Sequence, residues 1–458
     1  MKKHDVYRIL RPEFDTQSAL SQIKLHLSEK FTQGSLSLYN KKGEYMRIAI
    51  FEDEKYRQLK PMIHLQPVFK LRSGIIMLYE KVERRLNGLA CDWFVRARIQ
   101  PLLEEQHPER MINQTFDDEY LFINARLIVN DIIWQQLEKL KLNTIIKAND
   151  ELLAVRVSKD MLSEISFDDE GLLDFGGLET KLDIIYWPAD LLFHYIWDLV
   201  ARNPIQIEND FKLEPGIGFI SGNVYEGAYL VEPRQIYIAE GANIYPGAVI
   251  VAENGPVYID KGAKIYPNTF IEGPAFIGEN SSIKAGAKIY GGTSIGEVCK
   301  IGGEVECSII HSFSNKQHEG FLGHSYLGKW VNLGADTNNS DLKNNYSPVT
   351  SFADGKEINT GLQFVGLCMA DHSKTGINTM FNTGTVAGVF CNIFGSDFPS
   401  KNIPDFSWGG AQGFIAHEAT KAIETARKVM ERRKKILSKT EEDIIRMIFA
   451  ESQHPESE

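Results

Sequence analysis

The sequence predicts an α/β layer domain followed by a parallel β-helix and a C-terminal helix. Three observations carry that prediction. Short apolar runs alternate with amphipathic stretches through residues 46–205, the pattern of strands and helices packed in layers. Isoleucine then stands at 259, 265, 271, 277, 283, 289, 295 and 301, eight in succession at a spacing of six. Finally, the segment "AHEATKAIETARKVMERRKKILSKTEEDIIRMIFAES" has helical spacing throughout.

In the first half, "MRIAIF" (46–51), "YLFIN" (120–124) and "LLAVRV" read as strands, and "SGIIMLYEKVERRLNGL" and "DIIWQQLEKLKL" as helices. "SGIIMLYEKVERRLNGL" ends at Gly88, and "DIIYWPADLLFHYIWDLVARN" closes the domain with a further helix. Residues 1–45 are polar with one weak amphipathic stretch, and Met46 is itself a candidate start. A linker is expected over 206–235.

The six-residue period identifies the next segment, 236–408. An α-helix repeats every 3.6 residues and a strand every two, so neither accounts for it. In a parallel β-helix each hexad makes one short strand and one corner, and three hexads close a triangular coil. The isoleucine points inward and stacks on its equivalent one coil away. Two residues earlier stand Val257, Ala263, Thr269, Ala275, Ser281, Ala287, Thr293 and Cys299, small or β-branched side chains suited to a tight corner. A step of nine separates Ile250 from Ile259, and Phe321, Leu327 and Leu333 resume the period. The polar run 336–362 reads as an arm leaving a corner, and 409–458 as the helical tail. Its basic stretch 427–439 reads as a solvated face.

Totals exclude several classes. The 458-residue chain has a net charge of −11, which gives no long-range attraction for nucleic acid or an anionic membrane. No stretch approaches the roughly 20 apolar residues of a membrane helix, and the N-terminus lacks the apolar core of a secretory signal. Five cysteines without a CxxC pair suggest reduced thiols. The expected location is cytoplasmic. His311, His318, His324 and His372 cluster late in the chain, but their spacing is not that of a three-histidine zinc site, and no metal is expected.

The stretch "SIIHSFSNKQHEGFLGHSYLGKWVNLGADTNNSDLKNNY" (308–346) resembles the acetyltransferase half of the bifunctional N-acetylglucosamine-1-phosphate uridyltransferase / glucosamine-1-phosphate acetyltransferase family. "FSWGG" (406–410) and "MFNTGT" (380–385) are similar to a divergent branch of it. The resemblance implies a nucleotidyltransferase-like first domain, a left-handed coil against the usual crossover hand, and a homotrimer whose groove needs two subunits. It implies acetyl-CoA as co-substrate and an amino-sugar phosphate or nucleotide sugar as acceptor. It places His318 as general base, Lys316, Asn332, Asn345 and Tyr346 against substrate, the Ala335 N–H at the acetyl group, and Ile377 along the CoA groove.

Departures fall on the acceptor side. Phe321 stands where the family has tyrosine, Ser308 marks a lost basic residue, and Asp336 replaces a glycine. The first half lacks the glycine-rich phosphate loop: "FEDEKYRQLKP" follows the first strand, and Asn124 stands where a Mg²⁺-binding Asp is expected. Mg²⁺ would be needed only for nucleotidyl transfer, the alternative activity. Arg72, in a motif of the divergent branch, is either a phosphate ligand or a structural ion pair. A non-catalytic sugar-nucleotide-binding scaffold is the third reading.

Overall fold

The computed structural model describes residues 46–86, 90–115, 118–187, 191–213 and 218–453; the extension 1–45 and the helix end at Gly88 lie outside them. The described chain divides into two compact units, and the division is not sequential. Glu54–Arg84 and Arg98–His107 belong with the second unit, together with everything from Phe193 onward.

The first unit is built on a six-stranded sheet. Its order is Asp92–Phe94, Met46–Phe51, Glu119–Asn124, Glu151–Val157, Thr144–Ala148, Asp183–Trp187. The first three run parallel, and Glu151–Val157 is antiparallel to both its neighbours. Phe51, Phe94, Tyr120 and Phe122 pack with Phe175 and Leu178 into its core. The helix Asp131–Glu138 starts where Asn130 Oδ1 accepts the Ile133 N–H at 2.9 Å, an ordinary N-cap. "DIIYW" proves to be a strand rather than the start of a closing helix. The helix begins at Ile196, because the Asp198 carboxylate accepts the N–H groups of His194 and Tyr195 at 2.9 Å each. A second helix, Asn203–Leu213, occupies the start of the segment read as linker.

The second unit is a parallel β-solenoid of about ten turns, with three sheets as its faces. Ile259 pairs with Ile277, Ile265 with Ile283, and Ile271 with Ile289, so one coil is three hexads. All eight isoleucines and their eight small partners are buried. The step of nine is a longer corner in which Glu253 and Asn254 face solvent. Removing one inward side chain should be costly, since neighbouring coils cannot close over the hole. Ile283→Ala is expected to destabilise this unit by about 2–5 kcal/mol, read as a lower urea midpoint; an unchanged midpoint would refute the stacked-core reading.

Two expectations shift by a residue or more. The inward residue after His318 is Leu322 and not Phe321, because the 317–320 corner is longer. The coil also continues through Asn338–Asn339, which pairs with Met380–Phe381. Asn339 is tolerated inside because it accepts the Gly323 N–H and donates to the Gly323 carbonyl, both at 3.0 Å. The arm proper is a hairpin, Thr350–Ala353 with Lys356–Asn359. Asp354 and Gly355 both take positive φ at its tip, as a tight hairpin turn requires. Val349, Ala353 and Val365 pack against Trp197.

The tail forms two helices, Ala419–Glu431 and Lys439–Gln453, joined by an Arg427–Glu442 ion pair. They cap a column of left-handed corner residues, Phe313, Trp330, His372, Phe390 and Phe406, whose rings stack one on the next. Phe449 closes the column edge-on against Phe406 at 5.1 Å. His372 is thus a rung. Burial, with Lys374 and Lys329 nearby, holds its imidazole well below the usual range.

Candidate active site at a corner of the β-helix

One face of the solenoid ends, coil after coil, at the same corner. Its strands include Lys300–Ile301, Asn315–Lys316 and Lys374–Thr375, with Asn332 bridging the last two. The corner backbones lie too close for side chains. A Cβ on Gly302 would meet the Gln317 carbonyl at 2.5 Å, and one on Gly334 would meet the Gly376 carbonyl at 2.2 Å. Gly334→Ala should therefore distort this corner and weaken whatever binds along it, which calorimetry with acetyl-CoA would register.

His318 lies just past Gln317 and is exposed. Its ring makes no hydrogen bond among the described residues. The turn that carries it is held from within by Lys316, only 2% exposed, whose Nζ donates to the carbonyls of Gly302 at 3.0 Å and His318 at 3.2 Å. Burial pulls the Lys316 ammonium down to about 8, against the pull of Glu319, Asp336 and Glu304. Lys316 thus positions the histidine turn from inside the coil, and its ammonium does not face solvent.

One coil on, the Asp336 N–H donates to the Glu319 carbonyl at 3.1 Å, tying the histidine turn to the Ala335 corner. The Ala335 carbonyl accepts from the Asn378 N–H at 2.8 Å. The N–H groups of Ala335 and Ile377 themselves bond to nothing among the described residues. Ile377 is 70% exposed. Two open amides therefore stand at one corner of successive coils, beside the turn bearing an unengaged imidazole. Asn332 is exposed on the adjoining strand, its Oδ1 at 3.4 Å from Asn315 Nδ2.

The remaining expected residues lie elsewhere. Asn345 and Tyr346 are exposed on the arm, where Asn345 Oδ1 accepts from Ser347 and Gln363 donates to the Tyr346 carbonyl. Neither bonds to the His318 corner among the described residues. Arg72 is 5% exposed: it donates to the Ile75 carbonyl, pairs with Glu297 at 3.4 Å and lies over the Phe276 ring. Burial raises the Glu297 carboxyl, but Arg72 and His311 outweigh it and hold it down at about 2. The phosphate-ligand reading of Arg72 is corrected by this burial to the ion-pair one. Ser308 is fully buried, its hydroxyl on the Glu306 carbonyl.

The sequence reading missed Arg433, whose Nη2 donates to Asn315 Oδ1 at 3.2 Å. Its basic run resembles a solvated face, and only the fold brings it beside the solenoid. With Arg432, Lys284 and Lys300 it makes a cationic patch. Burial, then Arg433, Lys284 and Arg432, lower the Lys300 ammonium.

Residues 48–215 match the family described as sugar nucleotidyl transferase. Among curated proteins, the chain is 33% identical over 147 residues to the bifunctional sugar-1-phosphate nucleotidylyltransferase/acetyltransferase of Sulfurisphaera tokodaii, covering 28% of this chain and 37% of that one. It is 31% identical over 189 residues to the bifunctional protein GlmU of Prochlorococcus marinus, covering 39% and 36%. The chain is thus similar over part of its length to bifunctional proteins of the GlmU kind. The matches span between a quarter and two fifths of the curated relatives' own length. A solved UDP-N-acetylglucosamine acyltransferase superposes with a TM-score of 0.24 at 15% identity, over 52% of this chain and 84% of that one. At that score the likeness carries no weight.

In the segment matched by the sugar nucleotidyl transferase family the strand ends are occupied by ion pairs. Arg126, 1% exposed, bonds Asp53 through Nε at 3.0 Å and Nη2 at 2.5 Å, and reaches Glu151 at 2.8 Å. Asn124 Nδ2 donates to the same Asp53 at 2.8 Å. Glu52 is buried against Arg96. Among the described residues no three His, Cys, Asp or Glu side chains are placed to hold a metal. A guanidinium stands against Asp53 and Glu151, so these residues do not fit Mg²⁺. No helix of the described residues is long and apolar enough to cross a membrane.

Proposed function

We propose that the chain transfers an acyl group, acetyl in the first instance, from acyl-CoA to the amino group of a sugar phosphate or nucleotide sugar. The observation that carries this reading is the corner itself: an exposed imidazole on a turn fixed by Lys316, beside the open amides of Ala335 and Ile377. His318 takes the proton of the attacking amine as the C–N bond forms. The Ala335 N–H faces the oxygen that becomes negative in the tetrahedral intermediate, where a fixed donor is worth most. CoA thiolate then leaves and is protonated. The patch of Lys284, Lys300, Arg432 and Arg433 suits the phosphates of the carrier.

The resemblance supports a homotrimer acting in the cytoplasm, with the carrier between protomers. Mass photometry should then give three copies per particle, and a monomer would count against a shared groove. Calorimetry with acetyl-CoA and a panel of amino-sugar phosphates tests the whole reading. Binding of acetyl-CoA with turnover of at least one amine is expected. No affinity for any acyl-CoA would favour a sugar-nucleotide-binding scaffold instead. A second reading, nucleotidyl transfer to a sugar 1-phosphate, draws on the family match over 48–215. Pyrophosphate release from a nucleoside triphosphate and a sugar phosphate would support it, although the Arg126 cluster stands against it.

A further inference from the structure

A second cluster of reactive side chains lies at a different corner of the solenoid. Cys307 and His324 occupy equivalent positions on successive coils, one residue past paired strands Glu304–Glu306 and Phe321–Gly323. Both take left-handed backbone conformations, with φ of 44° and 45°, which non-glycine residues adopt at a cost. Corresponding corners elsewhere carry glycine, as at Gly292 with φ of 78°. The thiol lies over that glycine: a Cβ built there would come within 3.0 Å of Cys307 Sγ. Asp341, at the base of the arm, meets His324 Nδ1 at 2.8 Å. The His324 ring stacks on Phe364 at 4.9 Å and stands one coil along from the Cys307 thiol.

We propose that Cys307, His324 and Asp341 form a thiol–imidazole–carboxylate triad that makes Cys307 a nucleophile for low-molecular-weight disulfides. The chemistry follows from the order of contacts. Asp341 fixes the imidazole and stabilises its cation, and that positive charge one coil away favours attack by the Cys307 sulfur. The Cys307 sulfur bonds to one sulfur of the disulfide, and the disulfide's own S–S bond breaks. The second sulfur leaves as a thiolate that takes a proton from His324 or water. Burial lowers the His324 imidazole, but Cys307 and Asp341 outweigh it and raise it to about 10. The other thiols differ. Cys91, Cys299 and Cys391 are buried, and burial pushes Cys299, Cys368 and Cys391 up to about 12. Cys307 is partly accessible, as is Cys368, and the side chains of His324 and Asp341 are 19% and 14% exposed.

The test uses the reduced full-length chain with 2,2′-dithiodipyridine, an uncharged disulfide that the neighbouring carboxylates do not repel. One thiol per chain should react in a fast phase, and peptide mass mapping at substoichiometric reagent should locate it at Cys307. Cys307→Ser should remove that phase. Asp341→Asn and His324→Gln should slow it by about tenfold or more, with melting midpoints showing that they remain folded. First modification at Cys368, or a Cys307 rate no greater than that of free cysteine, would overturn the triad in the wild-type chain alone. So would folded Asp341→Asn and His324→Gln chains that react at the wild-type rate.

Discussion

Replacing His318 by alanine should lower acyl-transfer turnover by about 10²- to 10⁴-fold and leave the unfolding midpoint unchanged. The loss is large because a primary amine needs its proton removed as it attacks, and no other imidazole is free to do so at this corner. His311 is fully buried between Ser312 and the Lys70 carbonyl, and His372 is a rung of the aromatic column. Stability should be indifferent because the His318 ring is exposed and bonds to nothing among the described residues. What holds the turn is the His318 backbone carbonyl, on Lys316, and alanine keeps it. Steady-state kinetics at saturating acetyl-CoA should show the fall in kcat. Full activity in the folded variant would remove His318 from the mechanism.

The second large effect is on stability. Lys81 and Asp210 are 1% and 2% exposed and meet at 2.5 and 2.6 Å. Asp210 also accepts the Ile75 N–H at 2.9 Å and lies 3.3 Å from that of Ile76. Gly74 is needed there, since a Cβ would stand 2.2 Å from Asp210 Oδ2. Lys81→Met would take the cation from a buried carboxylate, and Asp210→Ala would take the carboxylate from a buried ammonium and two amides. Either should cost about 3–5 kcal/mol, a large share of the usual net stability of about 5–15 kcal/mol. Urea denaturation checks it, and a change below about 1 kcal/mol would mean that water reaches the pair.

The same pair shows why part of the architecture was not legible in the chain. The solenoid was, because its inward positions repeat in sequence and one residue type fills them: Ile259 to Ile301 could be placed before any coordinates. The strands "MRIAIF" and "YLFIN" were legible for a similar reason, as apolar runs too short for helices. The membership of Glu54–Arg84 in the second unit was not. It rests on buried polar contacts, Lys81 with Asp210, Arg72 with Tyr326, and Ser294 with both Gly74 and Asn203, and such residues look like surface in a sequence.

The corner carrying His318 was partly legible. The motif put His318 in register with Lys316, Asn332 and Ala335, and the likeness of "TGIN" to a groove-lining coil pointed separately to Ile377; the open amides of Ala335 and Ile377 lie at that corner. Lys316 read as a ligand for substrate, because nothing in "NKQH" distinguishes a lysine pointing into the coil from one pointing out. Cys307, His324 and Asp341 were not read as a group because each lies one coil from the next. A search for reactive residues at that separation would have found them.

The arm enters and leaves the solenoid without disturbing its stacking. Tyr326–Leu327 pairs directly with Cys368–Met369, and Asn332 bridges to Lys374 across the insertion. Lengthening such an excursion is cheap, about 0.6 kcal/mol for each doubling of a flexible loop. An excursion of another length or sequence can therefore replace this one while the stacked coils on either side keep their pairing.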